Sequence, residues 1–151
     1  MKARYWLWIF AVLSLLTVAF IWGNSLPSIP ESAAQSTAVA ETVQPIVDPQ
    51  QKIEPPTFHS YLRKTAHLVE FALLGIFVCG FTICLGVELK KRLISLPILI
   101  VLVVAVGDEF IQHFAKRGSL VTDVVLDFSG ALIGLLVSAI IYRIVVKIKT
   151  K

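Results

Sequence analysis

Acidic and basic residues recur at the ends of long apolar segments of this chain, where a lipid bilayer would make them costly. His67 and Glu70 are three residues apart, so they share one face of a predicted helix that opens such a segment. Asp108 and Glu109 close the next apolar segment. Because an acidic residue inside a membrane span costs roughly 2.5–3.5 kcal/mol on insertion scales, a shared polar site is the simplest explanation.

Further polar positions extend this set along the chain. Gln112 lies one helical turn after the acidic pair, and Asp123 and Asp127 share a face of the following segment. That face continues through Gly130 and Gly134, whose spacing lets a neighbouring helix approach closely. The carboxylates approach charge balance if the nearby arginine and lysine side chains fold inward. The predicted ligand-contacting residues are Arg63, Lys64, His67, Glu70, Asp108, Glu109, Gln112, Arg117, Asp123 and Asp127.

The same residue types also allow two kinds of catalysis. Glu70, Asp108 and Glu109 can supply a general acid and base, with His67 as a proton shuttle near neutral pH. Alternatively, His67 with Asp108, Glu109 and Asp127 can hold a divalent metal that activates water, and this oxygen-rich set suits magnesium or manganese better than structural zinc. The sequence does not choose between these alternatives, so we assign no metal site and leave the cofactor open.

Four apolar segments must position these residues. The chain is 56% hydrophobic with a mean hydropathy of +0.80, whereas a soluble domain is nearer 45–50% apolar. Each segment is close to the ~20 residues that cross a ~30 Å hydrocarbon core. The predicted fold is an all-α integral membrane bundle of four transmembrane helices in a single domain. The predicted spans are residues 5–22, 66–87, 93–114 and 120–142.

Basic residues indicate the orientation of this bundle. They cluster at the amino terminus, in the turn at residues 90–92 and in the carboxyl-terminal tail, so the positive-inside rule places both termini in the cytoplasm. Residues 24–65 then form an extracytoplasmic loop, and the polar set lies at the level of the outer leaflet. Within the loop, we expect a short amphipathic helix over residues 32–44 and an extended, mobile segment from Pro45 to Pro56. Because the basic residues flank apolar spans, they do not indicate nucleic-acid binding.

Taken in order, these motifs resemble the VanZ-like family. Its first signature is similar to Arg63-Lys64-x-x-His67-x-x-Glu70-Phe71-x-x-Leu74-Gly75. The family's second signature is similar to Asp108-Glu109-x-x-Gln112 followed by Arg117, Asp123, Asp127 and Gly130-x-x-x-Gly134. The family's serine-bearing outer segment is similar to the stretch that contains Ser25 and Ser36. Two positions depart from the family pattern, since Phe71 stands where tyrosine is frequent and Asp127 where asparagine is common.

This resemblance implies a multi-pass protein of the bacterial cell membrane. The family's namesake is associated with low-level resistance to the glycopeptide teicoplanin, but the resemblance does not show that this chain confers resistance. Three hypotheses follow. In the first, the polar site binds an envelope lipid, a cell-wall precursor or a lipoglycopeptide, and Arg63, Lys64 and Arg117 hold its anionic groups. In the second, the chain is a membrane-embedded enzyme, metal-dependent or not, that acts on a lipid-linked substrate. In the third, the chain is a structural partner of another membrane protein. Whether it is an enzyme stays open, as does its oligomeric state.

Overall fold

The structure is a computed structural model that describes residues 2–26, 29–50, 52–115 and 120–149. It contains five helices: α1 (Lys2–Ser25), α2 (Ile29–Val47), α3 (Pro55–Leu89), α4 (Ser95–Phe114) and α5 (Val121–Lys149). No strand occurs among the residues described. The predicted all-α class is therefore confirmed.

Four of these helices are long and apolar enough to cross a membrane, in agreement with the sequence analysis. They cover Arg4–Ser25, Pro55–Leu89, Ser95–Phe114 and Val121–Lys149. The 35 residues of α3 correspond to about 52 Å at 1.5 Å per residue, which exceeds a ~30 Å hydrocarbon core. The first turns of α3 therefore extend beyond the apolar segment that follows them.

Local sequence explains where α3 begins and ends. Two prolines occupy its first positions, where a missing N–H costs no hydrogen bond. At its other end Lys90 adopts a left-handed conformation with φ 54°, and the Lys91 N–H donates to the carbonyl of Gly86 over 3.0 Å. The short connection that follows turns the chain back into α4.

Helices occupy most of the segment between the first two spans, which the sequence analysis assigned to a loop. Helix α2 contains the predicted helical stretch 32–44 and continues through Pro45 to Val47. Helix α3 begins at Pro55, eleven residues before the predicted span. The extended segment predicted from Pro45 to Pro56 was thus too long at both ends.

Two side chains close the connection between α2 and α3. The backbone N–H of Ile53 donates to Asp48 Oδ2 at 2.8 Å, and Gln44 Nε2 donates to the Ile53 carbonyl at 3.1 Å. These bonds satisfy backbone groups that the two helices leave unpaired.

Helix α3 is central to the bundle, since it packs against each of the other four helices. A Cβ atom added at Gly130 would meet the Leu68 carbonyl oxygen at 2.5 Å, and one at Gly134 would collide with the Ala72 carbonyl oxygen. The predicted close helix approach at these glycines is confirmed, and α3 is the partner helix.

The hydrophobic core lies directly beside this α3–α5 contact. Phe71 and Leu74 of α3 are fully buried, together with Val101 of α4 and Ala131 of α5. Phe71 is one of the two positions that depart from the family pattern. Its ring belongs to this apolar cluster, so a hydroxyl is not needed there for packing.

Candidate functional site

The polar site is centred on Asp108, which is completely buried near the end of α4. Ser25 Oγ donates to Asp108 Oδ1 at 2.6 Å, and Gln112 Nε2 donates to Oδ2 at 2.7 Å. Hydrogen bonds to an ionised group are the strong ones, and they offset the cost of removing the carboxylate from water. Two donors therefore fix the orientation of this carboxylate.

His67 of α3 lies between two buried aspartates from different helices. Its Nδ1 atom is 3.9 Å from Asp108 Oδ2 and 3.7 Å from Asp127 Oδ1. The side chain of His67 is 15% exposed, whereas those of Asp108 and Asp127 are 0% and 2% exposed. Three helices thus bring one imidazole and two carboxylates to the same point.

Asp127 has no compensating hydrogen bond among the described residues. The residue is 1% exposed and its Oδ2 atom has no donor. This differs from Asp108, although both aspartates are buried to the same degree. Because an uncompensated buried carboxylate is unfavourable, Asp127 calls for an explanation beyond packing.

Glu109 is buried beside Asp108 but faces a different element. Its carboxylate is hydrogen-bonded to the backbone of Leu120, the residue that precedes α5, while its Oε2 atom has no partner in the described part of the chain. A helix amino terminus favours negative charge. The unfavourable position of Glu109 near the end of its own helix is therefore offset by the start of the next one.

Glu70 lies at the edge of the cluster, where α3 contacts α1. Asn24 Nδ2 donates to Glu70 Oε1 at 3.4 Å, while Glu70 Oε2 has no partner among the residues described. This carboxylate is half-buried and does not line the pocket described next.

A pocket opens from this cluster to the outside, and its empty volume of about 260 Å³ includes space open to the solvent. Exposed Arg63 and Lys64 stand on its rim. Neither side chain forms a salt bridge of 4.0 Å or less with a carboxylate of the described residues, although Arg63 interacts electrostatically with Glu109. The pocket is lined by Arg63, Lys64, His67, Glu109, Gln112, Asp123, Leu126 and Asp127.

The structure therefore brings together nine of the ten residues predicted from sequence, with Glu70 and Asp108 beside the pocket rather than on its lining. The tenth, Arg117, lies outside the described residues, as does the side chain of Ser36. Whether these side chains contact a ligand stays a prediction. What the arrangement offers chemically is a set of anionic acceptors beneath a cationic rim.

Sequence reasoning placed Ser25 in a loop and did not count it among the site residues. The structure makes it the last residue of α1 and buries it completely, hydrogen-bonded to Asp108. Asn24, beside it, was missed as well. The available signal was two consecutive polar residues within one turn of a long apolar segment.

Ser25 is not arranged as a nucleophile. Its hydroxyl donates to a carboxylate rather than to an imidazole, and the residue has no exposed surface. A catalytic serine needs an adjacent base and access to its substrate. Ser25 therefore positions Asp108.

Comparison with known protein families gives a match over most of the chain. The family model described as VanZ/LLP1 matches residues 10–143 of the 151-residue chain, a range that includes all of the site residues above. No curated protein and no solved structure matches the chain significantly. The resemblance noted from the motifs is thereby confirmed.

Proposed function

Because this chain belongs to the VanZ/LLP1 family of membrane proteins, we propose that its pocket binds the polar headgroup of a membrane-anchored molecule of the bacterial envelope. That molecule is an envelope lipid, a lipid-linked cell-wall precursor or a lipoglycopeptide. The shared chemistry is an anionic group next to hydroxyl or amine donors.

One observation carries this proposal: two exposed cations border a pocket whose interior is acidic. Arg63 and Lys64 are exposed and form no salt bridge of 4.0 Å or less with a carboxylate of the described residues, so both can also bind an anionic group such as a phosphate. Glu109 and Asp127 line the same pocket with unpartnered oxygen atoms that accept hydrogen bonds from hydroxyl or amine donors. A headgroup that carries both an anionic group and a hydroxyl or amine donor can therefore bind to the cationic rim and to the acidic interior at the same time.

The size of the pocket favours a headgroup over a large rigid ligand. The enclosed space is small, because the empty volume of about 260 Å³ includes space that is open to the solvent. A glycopeptide is far larger, so only a small part of one enters. We therefore rank lipid headgroups first, and a link to teicoplanin resistance depends on such partial entry or on a shared lipid target.

The surroundings of the pocket suit a ligand with acyl chains. Phe110, Phe114 and Val121 are 63%, 70% and 81% exposed on α4 and α5. In a bilayer these surfaces face lipid tails, so the tails of a bound lipid stay in the membrane while its headgroup enters the pocket. The basic turn at residues 90–92 lies at the opposite end of α3. By the positive-inside rule, this supports a position of the pocket at the outer leaflet.

The test compares three forms of the full-length protein in detergent. They are the wild type, Arg63→Gln with Lys64→Gln, and the matched control Lys91→Gln with Arg92→Gln, which removes the same charge from exposed residues at the far end of α3. The probes are short-chain phosphatidylglycerol, short-chain phosphatidylethanolamine and inorganic pyrophosphate, measured by calorimetry. Teicoplanin is a further arm that distinguishes the lipoglycopeptide source.

We expect the rim variant, Arg63→Gln with Lys64→Gln, to bind the probe that the wild type prefers at least tenfold more weakly than the wild type does. The reason is that one charge-assisted hydrogen bond contributes about 1.5–3 kcal/mol. The control variant should bind as the wild type does. Equal binding by all three forms, or no binding of any probe to the wild type, would overturn the proposal.

The alternative is an enzyme that acts on a lipid-linked substrate. The observation in its favour is that Glu109 and Asp127, both buried, line the pocket with unpartnered oxygen atoms and so can exchange protons with a bound group. Incubating the wild type with the same lipids and analysing them by mass spectrometry separates the two functions. If the wild type forms a product and the Glu109→Gln variant does not, the result would favour the enzyme over the binding protein.

A further inference from the structure

We propose that His67, Asp108 and Asp127 form a binding site for one divalent cation of the Mn²⁺ and Mg²⁺ class at the base of the pocket. Each residue offers one ligand atom, and these atoms lie within 4.8 Å of one another. They come from α3, α4 and α5, so the site exists only in the folded bundle.

The spacing of the three side chains suits a cation between them. His67 Nδ1 is 3.9 Å from Asp108 Oδ2 and 3.7 Å from Asp127 Oδ1. Neighbouring ligands around an octahedral ion at about 2.1 Å are separated by about 3 Å, and opposite ligands by about 4.2 Å. Side-chain adjustments of less than about 1 Å bring the three atoms to such distances.

Asp127 supplies an independent reason to expect a cation. It is 1% exposed, its Oδ2 atom has no donor and it makes no hydrogen bond to a described residue. Asp48, which is also buried, accepts a 2.8 Å hydrogen bond from the Ile53 N–H. The contrast shows that this fold can provide a donor for a buried aspartate, and at Asp127 a bound cation would take that role.

Asp108 has the support that metal-binding carboxylates usually have. Ser25 and Gln112 donate to its two oxygens at 2.6 and 2.7 Å. A carboxylate oxygen accepts more than one partner, so both hydrogen bonds persist when Oδ2 also binds a cation. Such surrounding bonds orient the ligand and raise metal affinity.

The ligand types decide the class of ion. Two carboxylates and one imidazole form an oxygen-rich set with positions left open, and no cysteine lies in the cluster. The open positions face the pocket, where water or an anionic oxygen of a headgroup completes the shell. That last contact rests on the proposed function, whereas cation binding itself does not.

The experiment measures Mn²⁺ binding to the full chain in detergent after removal of metals with EDTA. Electron paramagnetic resonance of free Mn²⁺ gives the stoichiometry and affinity without any lipid. We expect one Mn²⁺ per chain, displaced by millimolar Mg²⁺. The variants are His67→Gln and Asp127→Asn, with Asp123→Asn as the matched control because Asp123 lines the same pocket outside the triangle.

The expected result is at least a tenfold loss of Mn²⁺ affinity in the two triangle variants and a retained site in Asp123→Asn. Absence of stoichiometric Mn²⁺ in the wild type would overturn the inference, and this result needs no variant to fold. Equal losses in Asp123→Asn and Asp127→Asn would also overturn it, since they would indicate a diffuse acidic surface. The rim variant Arg63→Gln with Lys64→Gln should bind Mn²⁺ normally, so failure of the cation site and failure of the headgroup proposal are distinguishable.

Discussion

Ser25 and Asp108 are joined by a 2.6 Å hydrogen bond that connects the end of α1 to the acidic end of α4 across 83 positions of sequence. Both residues are completely buried. Gln112 holds the other oxygen of the same carboxylate. The first span is therefore part of the site as well as of the membrane bundle.

The first prediction concerns this bond. Ser25→Ala removes the hydroxyl donor and leaves Asp108 Oδ1 without it, so the protein should lose about 1.5–3 kcal/mol of stability. Thermal unfolding in detergent, followed by tryptophan fluorescence, measures the change. Ser14→Ala is the matched control on the same helix, since its hydroxyl only donates to the Phe10 carbonyl. Similar small effects in both variants would contradict the assignment.

The second prediction concerns the contact between α3 and α5. Gly134→Ala places a methyl group against the Ala72 carbonyl oxygen, so the two helices must separate. We expect a loss of about 1–3 kcal/mol, typical of overpacking. Gly23→Ala serves as the control, because nothing lies within 4 Å of its added Cβ, and it should be neutral or stabilising by about 0.5–1 kcal/mol. The same unfolding assay decides, and equal behaviour of the two variants would argue against close packing.

The third prediction separates a ligand-binding role of Asp127 from a structural one. In metal-free buffer with EDTA, Asp127→Asn removes a buried charge that has no hydrogen bond in the described structure. Stability should therefore stay equal or rise by about 1–3 kcal/mol. Asp48→Asn makes the same change at a buried aspartate that accepts a hydrogen bond, and it should lose about 1 kcal/mol. Loss of membrane abundance in Asp127→Asn alone would favour a purely structural role.

The fourth prediction concerns orientation. In a background with Cys79→Ala and Cys84→Ala, we expect Thr122→Cys to react with a membrane-impermeant maleimide on intact cells. Arg92→Cys should react only after permeabilisation, because the positive-inside rule predicts that the basic turn at residues 90–92 lies in the cytoplasm. Both positions are exposed in the structure, and labelling of each after permeabilisation provides the control for access of the reagent. The reverse labelling pattern would place the pocket on the inner side.

The amino-acid sequence by itself determined the helical class, the four apolar spans and the polar positions near their ends. These features depend on periodicity and length along one segment, which a sequence states directly. The packing role of Gly130 and Gly134 was also predictable, because small residues one turn apart form a flat helix surface. The helical content of residues 24–65 was underestimated, since prolines were read as breaks although Pro55 and Pro56 begin a helix.

Only the tertiary structure decided which polar residues have partners. Ser25 meets Asp108, and Glu109 meets the start of α5. Asp127 remains without a hydrogen bond in the described part of the chain, while Arg63 and Lys64 stay exposed. Such differences depend on the rotation of each helix and on the distances between helices, which spacing along a single helix does not contain. The sequence thus predicted that the ionisable groups lie at one depth of the bundle. The packing of α1, α3, α4 and α5 determined the environment of each group.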